Sequence, residues 1–229
     1  MESKSKLWHF ENFNILDVLS SEEKQAMSKM ASMLSASKNQ IIYFPEDASG
    51  SIYFLKQGKV KISKYSESGK EIILAILGPG ELFGELGITD QTQQRKEFAE
   101  VTEDALICSL SIEELQHMLK ANSNFNLQIT KLIGLRLRKV QTRLESLCFK
   151  SAEDRIKNFI LELSNDYGRD ILGSGEKEIR LNLTHQDISK LTATSRQTVT
   201  SVMSELEKNG SIIYDRHRIL IKEKKNLLV

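Results

Sequence analysis

Leu183-Thr184-His185-Gln186-Asp187-Ile188-Ser189-Lys190-Leu191-Thr192-Ala193-Thr194-Ser195-Arg196-Gln197-Thr198-Val199-Thr200-Ser201-Val202-Met203-Ser204-Glu205-Leu206 reads as two short helices joined by a tight break. Thr184 can cap the first, with Asp187 three positions on, and Ile188 and Leu191 supply its inward face. Ala193-Thr194 is the break, and Ser195 can cap the second helix. There Val199, Val202, Met203 and Leu206 fall on one side, while Arg196, Gln197, Thr200, Ser201 and Ser204 share the other. Two helices so joined, the second presenting donors and acceptors outward, make a helix-turn-helix built to enter a DNA major groove. Ser211-Ile212-Ile213-Tyr214 and Ile219-Leu220-Ile221-Lys222 then read as a hairpin with the tip Asp215-Arg216-His217-Arg218, a basic wing placed to touch phosphate.

The expected DNA contacts are therefore Thr184, His185 and Gln186 at the first helix start, and Ser195, Arg196, Gln197, Thr200 and Ser201 on the second helix. Arg216, His217 and Arg218 on the wing complete the set. Arg196 can donate two parallel hydrogen bonds to O6 and N7 of guanine, and Gln197 suits adenine. Lys190 and the wing residues are expected on the phosphates.

Upstream, Ser151 with Asp154 opens an amphipathic helix carrying Ile156, Phe159, Ile160 and Leu163 inward, and Asn165 to Glu178 is a polar loop or short β-turn element. From about Asn122 to Phe149 there is no Pro. Ile133, Leu137, Val140, Leu144 and Leu147 recur there at steps of four and three, as in a coiled-coil seam, with Arg136, Arg138, Lys139, Arg143 and Glu145 off the stripe. Two heptads alone also fit a helix packed on its own domain. Its place between two domains favours a dimerisation helix. Earlier still, Ile41-Ile42-Tyr43-Phe44, Ser51 to Leu55, Val60 to Tyr65 and Glu71 to Leu77 are short β-like runs. Turn signals separate them at Pro45-Glu46-Asp47, Gln57-Gly58, Ser68-Gly69 and Gly78-Pro79-Gly80, predicting a compact all-β body. Ser20 with Glu23, and Ser111 with Glu114, are capping-box pairs for flanking helices.

The whole chain has 229 residues, 40% hydrophobic and 28% charged, with a formal net charge of +1. That suits two globular domains and a connector, and excludes a disordered or collagen-like chain. No apolar run is long enough to span a membrane, and Met1 to Trp8 lacks a secretory core, so a cytoplasmic protein with no membrane partner is expected. Cys108 and Cys148 are the only cysteines. Two cannot hold a four-cysteine metal or iron–sulfur site, so no such cluster is expected. Neither Walker loop nor nucleophile motif is present, and no enzyme activity is expected.

Leu183 to Ser189 and Ser195 to Thr200 resemble the recognition module of the CRP/FNR family of bacterial regulators. Gly78-Pro79-Gly80-Glu81-Leu82-Phe83-Gly84-Glu85-Leu86 resembles the same family's phosphate-binding cassette, and the likeness extends in order over nearly the whole chain. The resemblance implies an α+β chain: an effector-sensing double-wound β-roll over 1–121, a dimerisation helix over 122–149, and a winged helix-turn-helix over 150–229. It further implies a homodimer on a two-fold symmetric operator in double-stranded DNA, with RNA polymerase as a partner if the protein activates.

In cyclic-nucleotide-binding members, a Gly-rich turn and an Arg hold the cyclic phosphate and a Glu accepts from the ribose; Gly84, Arg95 and Glu85 match those roles. The pocket set is then Gly84, Glu85, Leu86, Arg95, Lys96, Val140 and Gln141. Lys96 and Glu97 stand where small residues usually complete the phosphate cup. Val140 and Gln141 replace the hydroxyls that meet the base, and Glu97 brings a carboxylate toward an anion. A cyclic nucleotide is therefore the disfavoured effector, with Glu85 and Arg95 forming an ion pair or receiving another ligand, and the effector stays unidentified. His9, His117 and His217 show no clustering, whereas His185 opens the first recognition-module helix. The alternative function is a cyclic-nucleotide regulatory subunit acting on a partner protein. That would call for apolar anchors on Ser195 to Ser204, where Arg, Gln, Thr and Ser stand instead.

Overall fold

The protein is described here by a computed structural model covering residues 14–88, 94–171, 175–181, 183–215, 218–222 and 227. After a 3-10 turn at Asn14–Leu16, helix α1 spans Ser21–Met30. Its capping box forms as the sequence predicts: Ser20 Oγ accepts from the Glu23 N–H at 3.2 Å, and Glu23 Oε2 from the Ser20 N–H at 2.7 Å. The same reciprocal pair, Ser111 with Glu114, starts helix α2, Ile112–Ala121.

Between these helices lie β1 (Ser32–Ala36), β2 (Ile41–Tyr43), β3 (Ser51–Tyr65), β4 (Glu71–Leu77), β5 (Leu82–Phe83) and β6 (Phe98–Ser111). They form an antiparallel sheet in the order β1-β6-β3-β4, with β2 also paired to β6 and β5 to β3. The two runs expected on either side of Gln57-Gly58 are one strand, so that turn signal is corrected to a bulge. The β3–β6 register shifts between Leu55 and Val60, and Gly58 adopts φ +82°. A Cβ at Gly58 would lie 2.2 Å from the Asp104 carbonyl oxygen, so only glycine lets the two strands approach here.

Successive residues of a strand face opposite sides. Phe54 accordingly enters one core with Leu16, Met27, Ile52, Cys108, Leu115 and Phe125, while Leu55 enters another with Tyr43, Val60, Phe83, Val101 and Ile107. Each fully buried side chain of this size is worth about 1.5–3 kcal/mol. Cys108 is buried, whereas Cys148 is exposed.

Helix α3 runs unbroken over Ser123–Phe149, 27 residues or about 40 Å. Phe125 and Ile129 near its start are buried in the first core. By its internal contacts the chain falls into two units, Met1–Leu137 and Arg138–Val229, and the boundary lies within α3.

In the second unit, Ser151 caps α4 (Ala152–Tyr167), accepting from the Asp154 N–H at 3.1 Å. The polar segment after it holds two short strands, β7 (Gly168–Asp170) and β8 (Lys177–Ile179). Helices α5 (His185–Thr192) and α6 (Arg196–Lys208) follow, then β9 (Ile212–Tyr214) and β10 (Ile219–Ile221). The hairpin expected from the sequence is half of a four-stranded antiparallel sheet, β7-β8-β10-β9, because Ile219 pairs with Ile179 on one side and Tyr214 on the other. Ile156, Ile160, Ile188, Leu191, Val199, Val202, Met203 and Leu206 are all buried, so the predicted inward faces of three helices make this core. Among the described residues no helix is long and apolar enough to cross a membrane.

Candidate nucleic-acid interface and effector pocket

The helix-turn-helix is set by local hydrogen bonds. Thr184 Oγ1 accepts from the Asp187 N–H at 3.1 Å while Asp187 Oδ2 accepts from the Thr184 N–H at 2.9 Å, closing a capping box on α5. Ala193 leaves α5 in the left-handed region (φ 50°, ψ 48°), and the Thr194 N–H returns to the Ser189 carbonyl at 3.0 Å. Ser195 Oγ then accepts from the Thr198 N–H at 3.0 Å and starts α6. Every exposed residue of α6 is polar or charged, Arg196, Gln197, Thr200, Ser201 and Ser204 among them. A face without apolar anchors suits base edges and phosphates rather than a protein partner.

The polar side chains around this face fall into two groups. Thr184 and Ser195 are engaged as caps. The Thr200 hydroxyl donates to the Arg196 carbonyl at 2.9 Å and lies 2.9 Å from His185 Nδ1, which assigns the ring proton to Nδ1. The same imidazole stacks on Tyr214, centroids 5.0 Å apart, and its Nε2 is enclosed without a partner among the described residues. Tyr214 in turn donates its hydroxyl to the Leu183 carbonyl at 2.9 Å. His185 thus ties α5, α6 and β9 together at the edge of the face expected to meet DNA. Burial, and then the charge of Arg196, hold the His185 pKa below its ordinary value. Gln186, Arg196, Gln197 and Ser201, by contrast, are exposed and their side chains make no hydrogen bond among the described residues.

Of the wing residues, Arg216 and His217 lie outside the described residues. Arg218 donates from Nε to Asp215 Oδ2 at 2.9 Å and places Nη1 3.6 Å from Glu178 Oε1, so its charge is already balanced within the wing sheet.

The candidate effector pocket lies in the first unit, around Arg95. This side chain is only 3% exposed, and its guanidinium sits 4.5 Å from the Tyr43 ring centroid and 5.7 Å from that of Tyr53. Tyr53 stacks on Phe83 at 5.0 Å. Arg95 Nη1 donates to the Gly84 carbonyl at 2.9 Å and Nη2 to the Ser51 carbonyl, while Nε is enclosed without a partner among the described residues. Gly84 adopts φ +83°, and a Cβ there would meet Arg95 Nη1 at 2.9 Å.

Of the two alternatives for Glu85 and Arg95, the ion pair between them does not form: Glu85 pairs with Arg136 of α3, which also donates to the Leu82 carbonyl. Glu97 is buried and Lys96 is exposed. Burial, and after it the Glu97 carboxylate, push the Tyr43 phenol well above its ordinary pKa. Leu86 is exposed, as are Val140 and Gln141 on α3.

Gly84 and Arg95 are therefore brought together as the cassette requires, but as partners of each other. A cyclic phosphate needs guanidinium N–H groups aimed at it. Here Nη1 and Nη2 each give one hydrogen bond to a backbone carbonyl, with aromatic rings beside the guanidinium and a buried carboxylate nearby.

A cyclic nucleotide-binding domain model matches residues 33–122, and a Crp-like helix-turn-helix domain model matches residues 154–228. Both matches fall on the elements just described, in the order that joins a sensing roll to a polar recognition helix. The chain belongs to the CRP/FNR family. It is 28% identical over 185 residues to a global nitrogen regulator of Synechocystis sp., covering 80% of this chain and 81% of that one. It is also 24% identical over 202 residues to a CRP-like cAMP-activated global transcriptional regulator of Mycobacterium tuberculosis, covering 88% and 89%. Among solved structures, a CooA mutant from Carboxydothermus hydrogenoformans superposes with a TM-score of 0.78 at 24% identity, covering 95% of this chain and 94% of that one. This CRP/FNR protein is accordingly a DNA-binding transcription regulator, and its relatives are regulators rather than enzymes.

Tyr43, Tyr53, Phe83, Arg136 and Tyr214 escaped the sequence reading of these sites. The aromatic residues look like ordinary strand residues, and Arg136 like a solvated helix charge. No short-range pattern distinguishes them.

Proposed function

We infer that this CRP/FNR regulator acts as a homodimer, paired through α3, on a two-fold symmetric operator whose half-sites are read by Arg196, Gln197 and Ser201. The observation that carries the dimer is the stripe Ile133, Leu137, Val140, Leu144 and Leu147, whose members are between 39% and 63% exposed. A continuous apolar row on one helix face calls for a partner surface, and a second copy offers an identical one. Leu137→Glu combined with Leu144→Glu should give monomers in sedimentation and abolish operator binding; a variant still dimeric would place the interface elsewhere. Two recognition helices in such a dimer require half-sites about 34–36 Å apart. RNA polymerase is the partner at promoters that the protein activates.

Cyclic AMP is not the effector in this reading. The engaged guanidinium of Arg95, the Glu85–Arg136 pair and the buried Glu97 support this. Calorimetric titration should detect weak binding or none, whereas submicromolar binding that disappears in Arg95→Ala would overturn it.

A further inference from the structure

Two arginines outside the DNA-reading face converge on its turn. Arg143, in the last part of α3, donates from Nη2 to the Leu191 carbonyl, with the Lys190 carbonyl at 3.5 Å. Arg155, in the first turn of α4, donates from Nε to the Thr192 carbonyl at 3.0 Å and from Nη2 to the Ala193 carbonyl at 3.2 Å. Its Nη1 reaches the Lys150 carbonyl at 3.1 Å, just past the end of α3. Four consecutive carbonyls at the end of α5, residues 190 to 193, thus face guanidinium groups.

The last carbonyls of a helix have no partner within it, and positive charge is favoured at that end. Closing α5 does not require these arginines, however. Ala193 and Thr194 already return their N–H groups to the Ser189 carbonyl, and Ile188, Leu191, Val199 and Val202 hold the module through its own core. What the arginines add is a fixed register between the turn and α3. Arg143 immediately precedes Leu144 and lies three residues after Val140, so the same turns of helix present the apolar stripe and grip the recognition turn. Burial lowers the Arg143 pKa, with Glu162 as the opposing carboxylate, so its charge is held here at a cost in solvation.

We propose that Arg143 and Arg155 are positioning residues that fix the orientation of the recognition helix relative to α3, and thereby the half-site spacing the regulator accepts. This rests on the dimer reading above. One inserted base pair moves a half-site by about 3.4 Å along the duplex axis and turns it by roughly a tenth of a turn. A clamped module rejects that displacement, whereas a loosened one tolerates it.

The test uses the full-length protein on duplexes carrying one wild-type-selected half-site, or two with the spacer varied one base pair at a time, read by fluorescence anisotropy. Wild type should show one sharp spacer optimum. Losing a charged hydrogen-bond donor should make Arg143→Ala about tenfold weaker at that optimum. Spacers one base pair away should then bind nearly as well as the optimum, while single half-site affinity stays unchanged. Arg143→Lys should recover part of the selectivity, and Arg155→Ala should behave like Arg143→Ala; if either alanine variant fails to fold, Arg155→Lys carries the same comparison. An unchanged spacer profile overturns the proposal, as does an equal loss on every duplex including the single half-site. A wild type with no spacer optimum would instead defeat the dimer reading, and this proposal with it.

Discussion

The outward face of α6 and the interior around Arg95 use the same side chain in opposite ways. Arg196 stands exposed with its side chain making no hydrogen bond among the described residues, whereas Arg95 is buried, set over the Tyr43 ring with Tyr53 alongside, and bonded to the carbonyls of Gly84 and Ser51. A guanidinium held by backbone acceptors contributes to the fold; one left in water is available to a ligand. Both arginines were candidate ligand contacts by sequence. Their surroundings, and not their identity, separate them.

The sharpest way to break this contrast is to remove each arginine and compare stability with binding. Arg95→Ala leaves two inward carbonyls unpaired and a void among the aromatic rings, so urea denaturation should show a loss of roughly 3 kcal/mol or more. A change below about 0.5 kcal/mol would mean that Arg95 is held loosely and is free to meet a ligand. Arg196→Ala should leave stability within about 0.5 kcal/mol but cost about 1–3 kcal/mol of discrimination for one guanine in each half-site. Selection from random duplexes should show that position relaxed in the variant, and identical motifs would reduce Arg196 to a phosphate anchor.

His185 sharpens the comparison in the other direction, since it lies beside the DNA face yet belongs to the fold. Its folded pKa is depressed, so the unfolded chain takes up the proton first as pH falls. The stability it contributes is complete above about pH 6.5 and is lost as pH falls toward and through the folded pKa. Denaturation at a series of pH values should show this slope in wild type and lose it in His185→Asn. A slope that persists in the variant would assign it to other groups.

The smallest effect belongs to the wing. Arg218 already faces Asp215 and Glu178. Arg218→Ala should therefore flatten the salt dependence of DNA binding by clearly less than the slope of about 0.9 expected for a whole phosphate contact. A full unit would show that DNA draws Arg218 away from its acidic partners.

The amino-acid sequence by itself determined the local elements. Ser20, Ser111, Ser151 and Thr184 all cap where their side chains and the acidic residues three positions on predict, and Ser195 caps by its hydroxyl alone, because capping joins residues three apart. The inward faces of α5 and α6 were equally legible, since burial follows the helical period. Only the tertiary structure decided which polar atoms remain available. The Gln57-Gly58 signal is a bulge because β6 lies beside it, and Arg95 and Arg143 are engaged by carbonyls 44 and 48 residues away. Every residue carries a backbone carbonyl, so nothing in the sequence marks the particular ones that a buried guanidinium will find; only the folded chain brings donor and acceptor together.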